Sequence, residues 1–311
     1  MDIRQCGVSG LRVSDLGLGA LAWGRDTDAP EAADMLARCA DEGGSLVEVS
    51  PLDGDGRALD VLADAMRPIG RHRLVLALRG AARPALGRWT VSGARGDMLR
   101  CLDDALARLD VDEVDLWLAE FDPSVPLDET LGALETAHRS GRARYIGLAG
   151  FGLWDASRAI VLLEEVRRLR VAALQLPFSL LTAADGAELR DRARALGIGV
   201  LAAAPLAAGV LTGKYRHATP PDSRAASPHM RRLVDPFLEP GPRAITEGLV
   251  RAAEGLDRSP LDVALSWSRS AEGVASAITG PRTLRQLDQM LEGGAPLPQQ
   301  IRTVLNEIAG L

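Results

Sequence analysis

Residues 94–148 read ARGDMLRCLDDALARLDVDEVDLWLAEFDPSVPLDETLGALETAHRSGRARYIGL. Over 94–109 and again over 128–140, apolar residues recur at spacings of three and four, the period of an amphipathic helix. Glu113 to Leu118 and Tyr145 to Leu148 are short, nearly continuous apolar runs, as expected of strands buried on both faces of a parallel sheet. Helix and strand therefore alternate here as βα units.

The same alternation extends almost end to end. Further strands are predicted at Leu16 to Leu18, Leu46 to Val49, Leu74 to Leu78, Ala172 to Leu176, Gly199 to Ala203 and Ala275 to Ile278, which makes eight in all. Helical patterns fall near 30–42, 57–67, 154–168, 184–196, 243–255 with 260–270, and 283–291. Eight units without an internal linker predict one α/β domain over residues 1–311, a closed (β/α)8 TIM barrel. Ile3 to Gly7 and Leu11 to Val13 read as an N-terminal β-hairpin able to cap the barrel floor, and an extra C-terminal helix spans about 298–308. Tyr215 to Pro242 follows the seventh strand, and a connection that long is usually functional or mobile.

Of 311 residues, 47% are hydrophobic and 25% charged, which suits a globular protein and excludes disordered or fibrous classes. The net charge of −6 and the scattered basic residues argue against nucleic acid as a partner. No apolar run is long enough for membrane insertion, and Met1 to Arg4 does not begin a signal peptide, so a cytoplasmic location and a small-molecule substrate are expected. Cys6, Cys39 and Cys101 have no metal or redox spacing, nor do His72, His138, His217 and His229 suggest a metal site.

In a barrel of this kind the active site lies at the carboxyl ends of the strands. Those positions carry Glu48, Asp53, Arg79, Glu120 and Asp122. They read either as a structural ion pair with solvated loop carboxylates or as an acid/base cluster. In a cluster, like charges raise one another's pKa so that one carboxyl stays protonated, whereas Arg79 beside it pulls the pKa down. After the seventh and eighth strands, Pro205 to Tyr215, with Leu206 and Lys214, and Gly280-Pro281-Arg282-Thr283 look like adjacent anion cradles; the latter opens a helix whose backbone N–H groups would face the anion. Helix caps and tight turns are the plainer reading of the same glycines.

Arg4 to Ser14, Leu16-Gly17-Leu18-Gly19, Arg144-Tyr145-Ile146-Gly147, Gly197 to Leu201, Pro205-Leu206 and Leu211 to Tyr215 together resemble the aldo/keto reductase superfamily, especially bacterial members and potassium-channel β-subunit relatives. The resemblance covers essentially the whole chain and implies NADP(H) at the carboxyl face. It also implies a tetrad in which a tyrosine protonates the carbonyl oxygen, helped by an aspartate-paired lysine and a histidine. Those positions hold Asp53 for tyrosine, Glu48 for aspartate, Arg79 for lysine and Glu120 for histidine.

At the nicotinamide end the resemblance places Ala149 and Gly150 where the carboxamide is held and Ala203 where a ring stacks, leaving Gln175. At the phosphate and adenine end, Lys214, Arg224, Gly280, Arg282 and Gln286 match. Weak or absent NADP(H) binding is expected. Non-redox acid/base chemistry such as dehydration, isomerisation or cyclisation is favoured, with Glu120 or Asp53 as acid or base and Arg79 stabilising an oxyanion. A non-catalytic NADP-binding or interaction role, and an oxidoreductase with a substituted tetrad, are the alternatives.

Overall fold

In short apolar strands successive side chains point to opposite faces, so each predicted run must fill two cores at once. A computed structural model of the chain describes residues 1–85 and 88–311. The strands are β1 (Ile3–Gln5), β2 (Arg12–Ser14), β3 (Leu16–Gly19), β4 (Leu46–Val49), β5 (Val75–Arg79), β6 (Ala82–Ala85), β7 (Arg88–Val91), β8 (Val114–Glu120), β9 (Ala143–Ala149), β10 (Val171–Pro177), β11 (Gly199–Ala203) and β12 (Val274–Thr279). Strands β3, β4, β5 and β8 to β12 close into an eight-stranded parallel barrel, the (β/α)8 architecture expected from the sequence.

Leu46, Ala77, Leu116, Leu118, Leu201 and Ala275 fill the inside of this barrel. Their neighbours Val47, Val49, Leu76, Leu78 and Trp117 point outward into the larger core beneath the helices. Those helices are α1 (Ala29–Asp41), α2 (Ala58–Met66), α3 (Arg95–Leu109), α4 (Leu127–Arg139), α5 (Leu153–Val161), α6 (Ala187–Ala195), α7 (Pro240–Gly255), α8 (Pro260–Arg269), α9 (Leu284–Leu291) and α10 (Gln299–Ile308).

The N-terminal hairpin β1–β2 pairs antiparallel and closes the floor, because Cys6, Leu11 and Val13 join the barrel's inner cluster. Gly7 is needed there: its φ is +59° and a Cβ would overlap the Gly197 carbonyl. Cys6 and Cys39 are free and buried, which pushes each thiol pKa up to about 12 and leaves both inert.

Two features differ from the sequence expectation. Helix α7 begins at Pro240, three residues early, since proline is accommodated in the first helical turn. After β5 the chain forms an antiparallel hairpin, β6–β7, where no strand was predicted, because Ala82 to Val91 has Pro84 and Gly87 but no alternating apolar pattern. The long connection after β11 is built from short 3-10 turns at Arg224–Ala226, Arg231–Leu233 and Asp235–Leu238. It is tied to the loop after β3, where His229 Nε2 lies 2.9 Å from Asp26 Oδ1 and Arg25 reaches Met230 Sδ at 3.4 Å. No helix among the described residues is long and apolar enough to cross a membrane.

Candidate active site

Because Leu46 faces the barrel interior, Glu48 two residues on faces the same way, at the carboxyl end of β4. Arg79 ends β5 and Glu120 ends β8, so adjacent strand ends bring all three into the barrel mouth. Arg79 Nε donates to Glu48 Oε1 at 2.9 Å and Nη1 to Glu120 Oε2 at 2.9 Å. Asp53 Oδ1 lies 3.7 Å from Nη2, beyond hydrogen-bond length. With every group ionised, three carboxylates share one guanidinium.

The Asp53 side chain is only 3% exposed. Burial pushes its carboxyl up to about 6 from 3.8; Arg79 and the Ser50 N–H pull it down, while Glu48 and Glu120 push it further up. The sequence reading that Arg79 would keep such a group ionised gives the sign of that one contribution correctly, but desolvation outweighs it. Burial would also lower the guanidinium pKa of Arg79, yet Glu48, Glu120 and Asp53 together hold it above the ordinary arginine value.

Asp53 owes its position to residues that carry no chemistry. Its Oδ2 accepts from Ser50 N–H at 2.8 Å, and its own N–H donates to the Ser50 carbonyl at 3.0 Å. Gly54 then turns the chain with φ +58° against the Trp23 carbonyl, where no Cβ fits. Gly54→Ala is expected to cost about 2–4 kcal/mol, since it combines left-handed strain with a backbone overlap. Thermal unfolding of the variant checks this, and a loss below about 1 kcal/mol would mean the turn relaxes freely. Gly80, with φ +70°, leaves room for the carboxylate of Glu120, which lies 2.6 Å from where its Cβ would be. Ser50, Gly54 and Gly80 were missed by the sequence reading; the Asp53-Gly54-Asp55-Gly56 run was the available turn signal.

Asp122 does not join the cluster. It accepts from Gly93 N–H at 3.0 Å and from Ser124 N–H at 2.9 Å, so it secures a loop. Gln175, whose amide the resemblance leaves at the nicotinamide end, donates one N–H to Glu48 and so touches the cluster as well.

A cavity of about 790 Å³ runs from this cluster to a cationic end. Glu48, Asp53, Arg79, Glu120 and Gln175 line the first part; Pro205, Leu206, Lys214, Arg224, Gly280, Arg282, Arg285 and Gln286 line the second. Burial and the neighbouring Arg224 and Arg282 charges lower the Lys214 pKa to about 8. Arg224 donates to the Gly280 carbonyl at 2.6 Å, but its buried Nε has no partner among the described residues.

At the helix opening after β12 three backbone donors are taken within the chain, while the N–H groups of Thr283 and Arg285 have no partner among the described residues. Arg282 N–H donates to Gln286 Oε1 at 2.9 Å, Leu284 N–H to Glu31, and Gln286 N–H to Thr283 Oγ1 at 3.3 Å. Beside the Thr283 and Arg285 N–H groups, the groups at this end able to hold an anion are the side chains of Lys214, Arg224 and Arg282, while the Gln286 side-chain carbonyl braces the turn.

These residues fit the phosphate half of NADP(H), as the unpartnered Arg224 Nε indicates. They offer less to its nicotinamide half: Ala149, Gly150 and Ala203 present neither side-chain hydrogen bonds nor a ring, and Gln175 spends one N–H on Glu48, which leaves its carbonyl oxygen and second N–H for a ligand.

A closed barrel with a hairpin floor and a mouth cavity between strand-end charges and a cationic end defines a (β/α)8 barrel protein. The family sequence model described as aldo/keto reductase matches residues 15–307, and the chain belongs to the aldo/keto reductase family. Among similar proteins, one from Oryza sativa subsp. japonica, named a probable voltage-gated potassium channel subunit beta, is 28% identical over 99% of this chain and 95% of its own length. The uncharacterized oxidoreductase YrpG of Bacillus subtilis (strain 168) is 29% identical over 99% of this chain and 96% of its own. An L-glyceraldehyde 3-phosphate reductase of Escherichia coli O157:H7 is 29% identical, covering 94% of this chain and 87% of its own.

Proposed function

We propose that residues 1–311 work as one cytoplasmic barrel domain whose mouth performs non-redox acid/base chemistry on a small polar molecule. The observation that carries this reading is Asp53: one carboxyl oxygen is fixed by Ser50 N–H, the other makes no hydrogen bond among the described residues, and burial pushes its pKa up to about 6. A carboxyl with a pKa that near neutrality both holds and releases a proton at working pH. Asp53 acts as the acid at its Oδ1, Glu120 as the base, and Arg79 stabilises an oxyanion formed between them. In the isomerisation of a 2-hydroxyketone, Glu120 removes the carbon-bound proton beside the carbonyl while Asp53 gives its proton to the carbonyl oxygen that Arg79 holds, forming an enediol; Glu120 then returns its proton to the former carbonyl carbon as Asp53 takes the proton of the other hydroxyl, so both carboxyls end as they began. The proton count is then unchanged.

Hydroxyketones and ketoacids incubated with the protein in deuterated water are expected to take up deuterium beside the carbonyl, read by NMR. Asp53→Asn is expected to slow uptake by a factor of about 10²–10⁴, the usual contribution of a positioned acid or base. Equal uptake by the variant would remove Asp53 from the mechanism. The cationic cavity end and the reductases among the relatives favour a second reading, carbonyl reduction with Asp53 as proton donor. Stoichiometric consumption of NADPH with an aldehyde, lost in Asp53→Asn, would move the assignment there.

A further inference from the structure

The barrel end of the cavity is short of positive charge. Glu48, Asp53 and Glu120 have Arg79 as their one cation within ion-pair distance among the described residues. Were Asp53 alone protonated, two carboxylates would still face one guanidinium. Glu48 spends its two oxygens on Arg79 and Gln175. Three acceptors that line the cavity are left without a hydrogen-bond partner among the described residues: Asp53 Oδ1, Glu120 Oε1 and the Gln175 side-chain carbonyl. Gln175 is 6% exposed and belongs to the barrel wall, so its open acceptor is a built feature and not a surface side chain in solvent.

The strand register places two of these acceptors. Glu120 pairs with Ala149 and Ala149 with Gln175, so the three stand level on β8, β9 and β10. Neighbouring strands lie about 4.8 Å apart, which leaves roughly 10 Å between the outer two backbones and only a methyl group between their side chains. Ala149 lines the cavity, so that gap opens into it. A ligand entering there strips water from Glu120, whose side chain is 24% exposed. A neutral ligand would leave the surplus negative charge desolvated and unbalanced, which is costly, whereas a cation offsets it. A primary ammonium has three donors and no acceptor, the complement of acceptors that lack donors. Lys214, Arg224 and Arg282 repel it from the other end, so the cavity orients such a molecule.

We infer that the small polar substrate carries a primary amine, held as an ammonium between Glu120 and Gln175 above Ala149. This rests on the acid/base reading for the reaction, and the amine decides which molecule is admitted to it. An ionised carboxylate has about four acceptor sites, so Glu120 takes an ammonium N–H and still receives a carbon-bound proton.

Two matched pairs test this: glucosamine against glucose, and 1-amino-1-deoxyfructose against fructose. Their binding is titrated near pH 6.5 by NMR and thermal shift. The aminated member of at least one pair is expected to bind tenfold or more tighter than its hydroxyl partner. A smaller preference in both pairs, or no binding by any of the four, would overturn the inference. Glu120→Gln is expected to reduce the preference to threefold or less, with far-ultraviolet circular dichroism unchanged. A preference that survives in this variant would place the amine elsewhere on an acidic protein and would overturn the assignment as well. Amine preference in a protein that puts no deuterium into hydroxyketones would sink the acid/base reading and leave the substrate class standing. Deuterium uptake without amine preference would do the reverse.

Discussion

Arg79→Met is expected to destabilise the fold by about 3–5 kcal/mol at pH 8, the range for removing one partner from a buried ionic cluster. The guanidinium is the cation in hydrogen-bond contact with both Glu48 and Glu120, and Asp53 lies just beyond. Without it, three carboxylates face one another in a barrel mouth, two of them almost fully buried. They would hold protons more tightly in the folded chain than in the unfolded one. Where the native state binds more protons, stability falls as pH rises, so the deficit is expected to shrink between pH 8 and pH 5. Denaturant unfolding at both pH values reads this directly. A deficit that is small and independent of pH would mean that water, and not Arg79, balances the cluster.

Asp53→Asn has the opposite sign. The native carboxyl titrates at about 6 when folded, against an ordinary value of 3.8. The unfolded chain therefore releases this proton first, and stability is lost as pH rises from about 4 to about 6, after which the loss is constant. That displacement corresponds to about 3 kcal/mol at most, at about 1.4 kcal/mol per pH unit. An uncharged amide of the same shape keeps the acceptor for Ser50 N–H and removes the cost of burying a charge. The variant is expected to be more stable than the native protein by about 1–3 kcal/mol above pH 6, and level with it near pH 4. Together with the slower deuterium uptake expected of the same variant, such a gain would be stability traded for the proposed function at one site. Equal stability across that interval would show that the Asp53 carboxylate is adequately solvated where it stands.

The barrel itself was legible because its signal is repeated. Each strand from Leu16–Gly19 to Val274–Thr279 is a short apolar run at a predictable interval, and an error at one end is absorbed by the next unit. Hairpin β6–β7 carried no such pattern and was not read. The convergence of Glu48, Asp53, Arg79 and Glu120 followed from the barrel, since strand ends share one mouth.

What did not follow was the balance of opposed effects at each group. Neither the near-complete burial of Asp53 nor the Ser50 N–H that fixes it is written in the spacing of charges. The amide of Gln175 turning to Glu48, and Gln286 and Glu31 taking the donors that open α9, are likewise choices among partners that only coordinates resolve. Local pattern names the residues available; packing decides which of them remain free for a ligand.

The decisive quantity is the proton affinity of one carboxyl group. With carboxyl-¹³C aspartate incorporated, the Asp53 resonance is identified as the signal missing from Asp53→Asn and followed from pH 3 to pH 8. A midpoint near 6 is expected, with the carboxyl still partly protonated as neutrality is approached. A midpoint in the ordinary carboxylate range near 4 would contradict it, leaving the barrel mouth without a proton donor.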